Sequence, residues 1–305
     1  MIDVRRLQIL QIVHRHGSMT AAAQALHLTP AAVSQQIHSL ARDLEVELVE
    51  RRGRGATLTP AAYTLLRHTD VLYAQWEAAR AELAAFQSDA AGLLRITAFP
   101  TALAGLVVPA AQQLRRDAPG LRLELAEAEA SQSFDLLATG ATDLAVIVPL
   151  PDNPPATDPR FDQQPLADEV QDLLVPCEHP LARSSGVQLA DAVSEIFVAA
   201  PDSIDQHQLI LAACQAAGFV PRIEHRAQEW NAIIALVGGG FGVSLIPRSA
   251  PLPPGAPVVR VPLRGAPAPR RRLLTCVRRG SDAQPAIAQG LSALHAAAAR
   301  SEVFT

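Results

Sequence analysis

Hydrophobic positions recur at helical spacing as far as residue 88 and in short strand-like runs from residue 93 onward. Val4-to-Val13 reads as a leading helix. Ala22, Ala25 and Leu26 share one face of a second, short helix. Ser18 can cap that helix by accepting from a free N–H of its first turn. Leu28 fills a tight turn. Thr29 is a second cap, and Pro30 stands at the first helical position, where its missing N–H costs nothing. Val33, Ile37, Leu40 and Leu44 then form one apolar stripe. The opposite face of that helix carries Ala31, Ala32, Ser34, Gln35, His38 and Arg42. Residues 48–60 read as two short strands with Arg51, Arg52 and Arg54 at the tip. Thr59 as cap and Pro60 at the first turn open a long helix over 60–88. Its Leu65, Thr69, Leu72, Trp76, Ala79, Leu83 and Phe86 step alternately by four and three, a heptad seam.

From residue 93 strands alternate with helices. Strands are expected at Leu93-to-Ala98, Leu121-to-Ala126, Leu144-to-Val148, Val170-to-Val175, Ile196-to-Ala199, Arg222-to-Arg226, Val243-to-Ile246 and Arg271-to-Val277. Helices are expected at about 102–116, 132–139, 205–217, 230–238 and 283–300, with a Pro/Asp-rich loop at 149–160. Such alternation argues for parallel sheets covered by helices. Two such units in tandem leave a cleft at the carboxyl ends of their strands.

Two short helices folded on a turn, the second opening with small residues, suit a DNA major groove. Small side chains let the backbone approach base edges, and the Gln35 amide can pair bidentately with adenine. An ordinary helical hairpin is the competing reading. The arginine-tipped ribbon that follows favours DNA, because arginines on a flexible tip suit phosphates or a narrow minor groove. The candidate DNA contacts are Ser18, Thr20, Thr29, Pro30, Ala31, Ala32, Ser34, Gln35, His38, Arg51, Arg52 and Arg54. The heptad seam lies where one chain would offer the helix little to pack on, so a dimer coiled coil is expected. A dimer sets two reading helices on one duplex and implies a two-fold site.

At these residues the chain resembles the LysR-type transcriptional regulators. Gly17-to-Ala23 is similar to that family's first helix-turn-helix helix, Leu26-to-Ile37 to its recognition helix, and Leu48-to-Arg51 with Leu58-Thr59-Pro60 to its wing and linker start. Glu178-to-Ala182 and Gly240-to-Arg248 resemble two stretches of its effector domain. Val49, Pro30 and Ala62 stand where the family often has Phe, Gln and Gly, and the second departure removes a possible base-reading side chain. The resemblance implies a winged helix-turn-helix over 1–59, a linker and dimerisation helix over 60–92, and an effector domain over 93–305. That domain would be α/β, two doubly wound subdomains like those of periplasmic binding proteins. It also implies that the last strand and helix return to the first subdomain (93–164 with 265–305), leaving 165–264 as the second. Hinges are then expected near Gln164-Pro165 and Leu263-Arg264. A homodimer or homotetramer in the cytoplasm, with double-stranded DNA, a small effector and RNA polymerase as partners and no membrane, is what such a protein would have.

Within the expected cleft, the loop Phe99-Pro100-Thr101-Ala102 offers a helix start, with unpaired N–H groups, partial positive charge and the Thr101 hydroxyl. Ser131 begins the next helix. Val148, Ala199, Pro201, Phe241 and Gly242 are expected to line the remaining walls. A positive helix start suggests an effector with a carboxylate.

Net charge is −4, distributed as +2 over residues 1–59, −2 over 60–92 and −4 over 93–305. The sign suits an amino-terminal DNA unit, and binding then depends on where the arginines sit. All 26 basic residues are arginine, which excludes a Walker A lysine and a Schiff-base lysine. Cys177, Cys214 and Cys276 are widely spaced and form no CxxC, so zinc and dithiol motifs are unsupported. No GxSxG or HExxH occurs, and no cofactor or catalytic residue is expected. The competing function is a solute-binding or metabolic α/β protein that merely carries a helix-turn-helix-like start.

Overall fold

Ser18 accepts from the Ala21 N–H at 3.1 Å and Thr29 from the Ala32 N–H at 3.2 Å. These two caps start α2 (Met19–Ala25) and α3 (Pro30–Leu44) in the computed structural model of the chain, which describes residues 4–26, 28–52, 55–84, 92–202, 204–265, 268–301 and 303–304. α1 (Val4–His16) packs on both. Leu7, Leu10, Ile12, Ala22, Val33, Ile37 and Leu40 close a core between the three helices. α3 stops at Glu45, which takes the left-handed conformation (φ 55°). β1 (Val49–Arg52) and β2 (Gly55–Leu58) then pair antiparallel, Val49 opposite Leu58, as the wing. Arg54 lies outside the described residues, as do the side chains of Arg51 and Arg52.

The long helix α4 (Pro60–Ala84) has two different faces. Ala62, Leu66, Thr69, Glu77 and Ala81 are buried within the chain, whereas Leu72, Trp76 and Leu83 are 56–60% exposed. The expectation that this helix has little to pack on in one chain is therefore corrected. Glu77 pairs with Arg278 at 3.1 Å and accepts from Gln284 at 2.7 Å. Gly280 (φ +83°) permits the approach, since a Cβ there would stand 2.5 Å from the Ala74 carbonyl oxygen. Thr69 also leaves the seam. It turns inward and its hydroxyl donates to the Leu65 carbonyl at 2.8 Å. Phe86 lies outside the described residues.

β3 (Leu93–Ala98) is flanked in parallel by β4 (Arg122–Glu127) and β5 (Leu144–Ile147). Between β3 and β4 the chain coils through α5 (Pro100–Ala102), a π turn (Leu103–Val107) and α6 (Val108–Asp117). α7 (Ala130–Thr139) joins β4 to β5 and ends at Gly140 in the left-handed conformation. β6 (Phe161–Pro176) then runs through both halves of the domain. Its first part pairs antiparallel with β11 (Arg270–Arg278), which also pairs with β5. Its last part pairs antiparallel with β9 (Ser244–Pro247) and β10 (Val258–Pro262). β7 (Ile196–Ala199) and β8 (Arg222–Arg226) are parallel, and β7 meets the start of β9 at Phe197 and Val243.

Helices cover each sheet on both sides. α6 and α10 (Pro285–Arg300) bury Leu94, Ile96, Leu144 and Leu294 on one face of the first, and α7 buries Phe134 and Leu137 on the other. α8 (Asp205–Ala216) and α9 (Trp230–Gly238) do the same for the second. Leu173 and Val175 face one side of β6 and Leu174 the other, as strand alternation requires.

Two expectations change here. The sheets are mixed, because β6 and β11 run against their neighbours. The crossing point also moves. β6 pairs with β11 as far as Val170 and with β9 from Gln171, so the strand changes partners there and not at Gln164-Pro165. Pro165 sits at the register shift opposite Leu273/Leu274, where the missing N–H is tolerated without ending the strand. No helix among the described residues is long and apolar enough to cross a membrane.

Candidate functional site

The first part of the site is the exposed surface of α2 and α3. Ser18, Thr20, Thr29, Pro30, Ala31, Gln35 and His38 are exposed, while Ala32 and Ser34 are half-buried. Ala31, Ser34, Gln35 and His38 lie on one face at helical spacing. His38 Nδ1 lies 2.7 Å from the Ser34 carbonyl and 3.3 Å from its hydroxyl, so this pair is already engaged. The hydroxyls of Ser18 and Thr29 are spent on their caps. Gln35 is the long amide left pointing outward from the middle of this face.

The second part is a cleft between the two halves of the α/β domain, at the carboxyl ends of β3, β4, β7 and β8. Phe99, Thr101, Glu127, Glu129, Ala200, Asp205, Glu229, Trp230 and Arg271 line a narrow cavity open to solvent. At its floor lies Arg271, 5% exposed. The guanidinium donates to Glu169 at 2.9 Å through Nε and 2.5 Å through Nη2, to Thr101 Oγ1 at 2.7 Å, and to Asp205 at 2.9 Å. Its plane also stacks on Phe99, 4.5 Å from the ring centroid. Thr101 and Arg271 belong to the first half and Asp205 to the second, so this one cation ties the halves together. Glu169 further accepts from Ser249. Burial, reinforced by Asp205, Glu127 and Glu229 against the opposing pull of Arg271, raises the Glu129 carboxyl to about 7.

Of the cleft residues read from the sequence, Phe99 and Thr101 line the cavity. The others are placed elsewhere. Ala102 is buried in the core beneath the loop, and Val148 packs against the same core. Ala199 is buried within β7, with Ala200 taking the lining position next to it and Pro201 beyond. Ser131 faces the amino-terminal unit, where its carbonyl accepts from Arg15 at 2.8 Å. Phe241 is 53% exposed and meets the edge of His225, with Gly242 (φ +142°) pressed against the Ile196 carbonyl. Both enter β9 at the end of α9 remote from Trp230, which removes them from the cavity. The expected carboxylate effector is not matched by this lining either, since four of the lining side chains are acids and the lone arginine is paired.

Sequence reading missed Arg271, Glu169, Asp205, Glu127, Glu129 and Glu229. One signal was available. Arg271 shares a face of its strand with Leu273 and Val277, both buried, and an arginine in that phase needs buried acidic partners. α7 starts at Ala130, two residues before the expected 132, which makes Glu129 its N-cap.

The two buried thiols offer little chemistry. Burial lifts Cys214 to about 12 and raises Cys276 as well, so both stay protonated at neutral pH.

Residues 87–299 match the family described as LysR substrate binding domain, and residues 4–63 that described as bacterial regulatory helix-turn-helix protein, lysR family. The transcriptional dual regulator GltC of Bacillus subtilis (strain 168) is 28% identical over 249 residues, covering 81% of each chain. The fold is similar to that of a full-length OxyR variant from Pseudomonas aeruginosa, with TM-score 0.68, 21% identity, and coverage of 100% of this chain and 98% of that one. It is also similar to full-length CbnR complexed with its target DNA, with TM-score 0.57, 20% identity, and coverage of 97% and 99%. Two successive family matches, one over the winged helix-turn-helix and one over the two-lobed domain, place this chain in the LysR family of bacterial helix-turn-helix regulators.

Proposed function

We propose that the chain reads DNA as a symmetric oligomer and that a small molecule in the two-lobed cleft gates its activity as a transcriptional regulator. The observation that carries this is the coexistence of an outward reading face on α3 with an outward apolar seam on α4. Thr29, Ala31, Ala32, Ser34 and Gln35 meet the major groove, and Arg51, Arg52 and Arg54 hold the backbone or minor groove. Leu72, Trp76 and Leu83 are too exposed for a helix that stays alone, and a partner's seam covers them.

α7 supplies the route between the two sites. Its N-cap Glu129 stands in the cleft, while Phe134 and Asp135 on later turns hold Arg15 and His16 of α1. A ligand that favours one arrangement of the lobes thereby favours one seating of α1, and only such a difference in affinity can switch the protein. RNA polymerase is the partner through which the DNA-bound oligomer acts.

Sequencing of genomic fragments captured by the purified full chain, followed by footprinting, tests the reading. A two-fold footprint whose affinity falls steeply with added salt is expected. Absence of any preferred duplex at low ionic strength overturns it.

A further inference from the structure

The cavity is the effector site proposed above, and what remains open is the charge of its ligand. The starts of four helical segments converge on it, those of α5, α7, α8 and α9, and helix starts ordinarily invite anions. Here the acids intervene. Glu129 is the N-cap of α7 and Glu229 the N-cap of α9, the equivalent junction of the other lobe. Neither side chain caps its helix by a hydrogen bond, so neither carboxylate is used up in the way an N-cap acid usually is. Glu127 adds a third carboxylate to the wall.

Among the described residues no free cation answers them. Arg271 is the one basic side chain of these lining the cavity, and Glu169 and Asp205 already take its charge, with Thr101 and Phe99 occupying the rest of its surface. An entering carboxylate would meet Glu127, Glu129 and Glu229 and find no vacant donor of opposite charge. An ammonium or guanidinium meets the reverse situation. Trp230, half-buried on the same wall, presents an aromatic surface suited to a cation, while Ile204 and Ile233 supply apolar contact for the rest of a small molecule.

We infer that the effector is an organic cation, a primary amine or guanidine with a short apolar body, its charged head held between Glu129 of one lobe and Glu229 of the other. Bridging two carboxylates on opposite lobes, such a ligand draws the lobes together beside the Arg271–Asp205 pair. Binding carries a proton signature. Burial, reinforced by the facing acids Asp205, Glu127 and Glu229 against the pull of Arg271, holds Glu129 partly protonated near neutrality. A cation favours the ionised form, so its binding releases protons and tightens as pH rises.

The inference rests on the proposed effector site, and the test separates the two. The full chain is titrated calorimetrically and by thermal shift with 2-phenylethylamine, 3-phenylpropionate and 2-phenylethanol, then with a wider set of amines, guanidines and matched carboxylates. Expected are stabilising hits among the amines and guanidines, bound at least tenfold tighter than their carboxylate counterparts. Their affinity should rise several-fold from pH 6 to pH 8 and fall at least tenfold in Glu129→Gln and in Glu229→Gln. Carboxylate hits that tighten as pH falls overturn the inference, because a protonated Glu129 would then be the donor. So does a set in which no amine or guanidine binds. In either case an intact two-fold DNA footprint leaves the regulator reading standing, while loss of the footprint strikes that reading alone.

Discussion

Arg15 of α1 and Asp135 of α7 are ion-paired at 2.9 Å, which fastens the DNA-reading unit to the helix whose first turn forms a wall of the ligand cleft. His16 approaches the same carboxylate at 3.1 Å, and the Arg15 guanidinium lies 5.5 Å from the Phe134 ring centroid. Asp135→Ala should release this seat at a cost of about 1 kcal/mol in overall stability, as for a partly exposed pair. Hydrogen exchange should quicken in α1 and the first turns of α7 while α8 and α9 stay unchanged. Uniform exchange across all four helices would show that the contact is not a distinct joint.

Removing the cation from the cleft floor should be far more costly. Arg271→Gln leaves Glu169, fully buried, and Asp205, 12% exposed, without their partner. A loss of about 3–5 kcal/mol is expected, seen as a large fall in Tm. Asp205→Asn keeps the Glu169 pair and should cost less, while widening the particle in solution scattering. Equal losses for the two variants would mean that Asp205, rather than Glu169, is the main partner.

Glu129 makes stability depend on pH in a definite direction. Its folded carboxyl is raised to about 7 from the ordinary 4.5, so the folded state binds more protons between these values. Stability contributed by the neutral form is present below about 4.5 and is lost as pH rises through about 7. Glu129→Gln should therefore stabilise the protein at pH 8, by an amount on the order of 1–2 kcal/mol given its partial exposure, and change little at pH 4.5. A variant whose Tm at pH 8 is no higher than the parent's would refute this.

The outward seam of α4 gives a third kind of test. Leu72→Glu and Trp76→Ala remove apolar groups that are 59% and 56% exposed in the single chain, so monomer stability should change by less than about 0.5 kcal/mol. Sedimentation should nonetheless shift toward monomer, and DNA affinity should fall with it. Thr69→Ala, at an inward position, should leave the oligomer intact.

On the reading face, Gln35→Ala should relax preference at one base position of each half-site by about 1–3 kcal/mol. Arg52→Ala should instead weaken binding to all duplexes alike and flatten the salt dependence. Footprints unchanged in both would remove α3 and the wing from the interface.

Local signals alone settle the amino-terminal unit. Ser18, Thr29 and Pro30 act through their own first turns, and the Val33–Ile37–Leu40 stripe depends only on helical spacing, so caps and core face were legible from neighbours along the chain. The strands β3, β7 and β8 were legible for the same reason, each a short run bounded by turn residues. The first half of β6, from Asp162 to Glu169, was not, because its polar residues hide a strand that only pairing with β11 defines. Tertiary structure alone decided what faces the ligand. Arg271 reaches Thr101 across 170 positions and Glu169 across 102, and Glu129 and Glu229 line one cavity only because the two lobes are set face to face. Helix dipoles are written in local sequence, but the sign of a cavity is the sum over side chains from distant segments, and that sum exists only once the chain has folded.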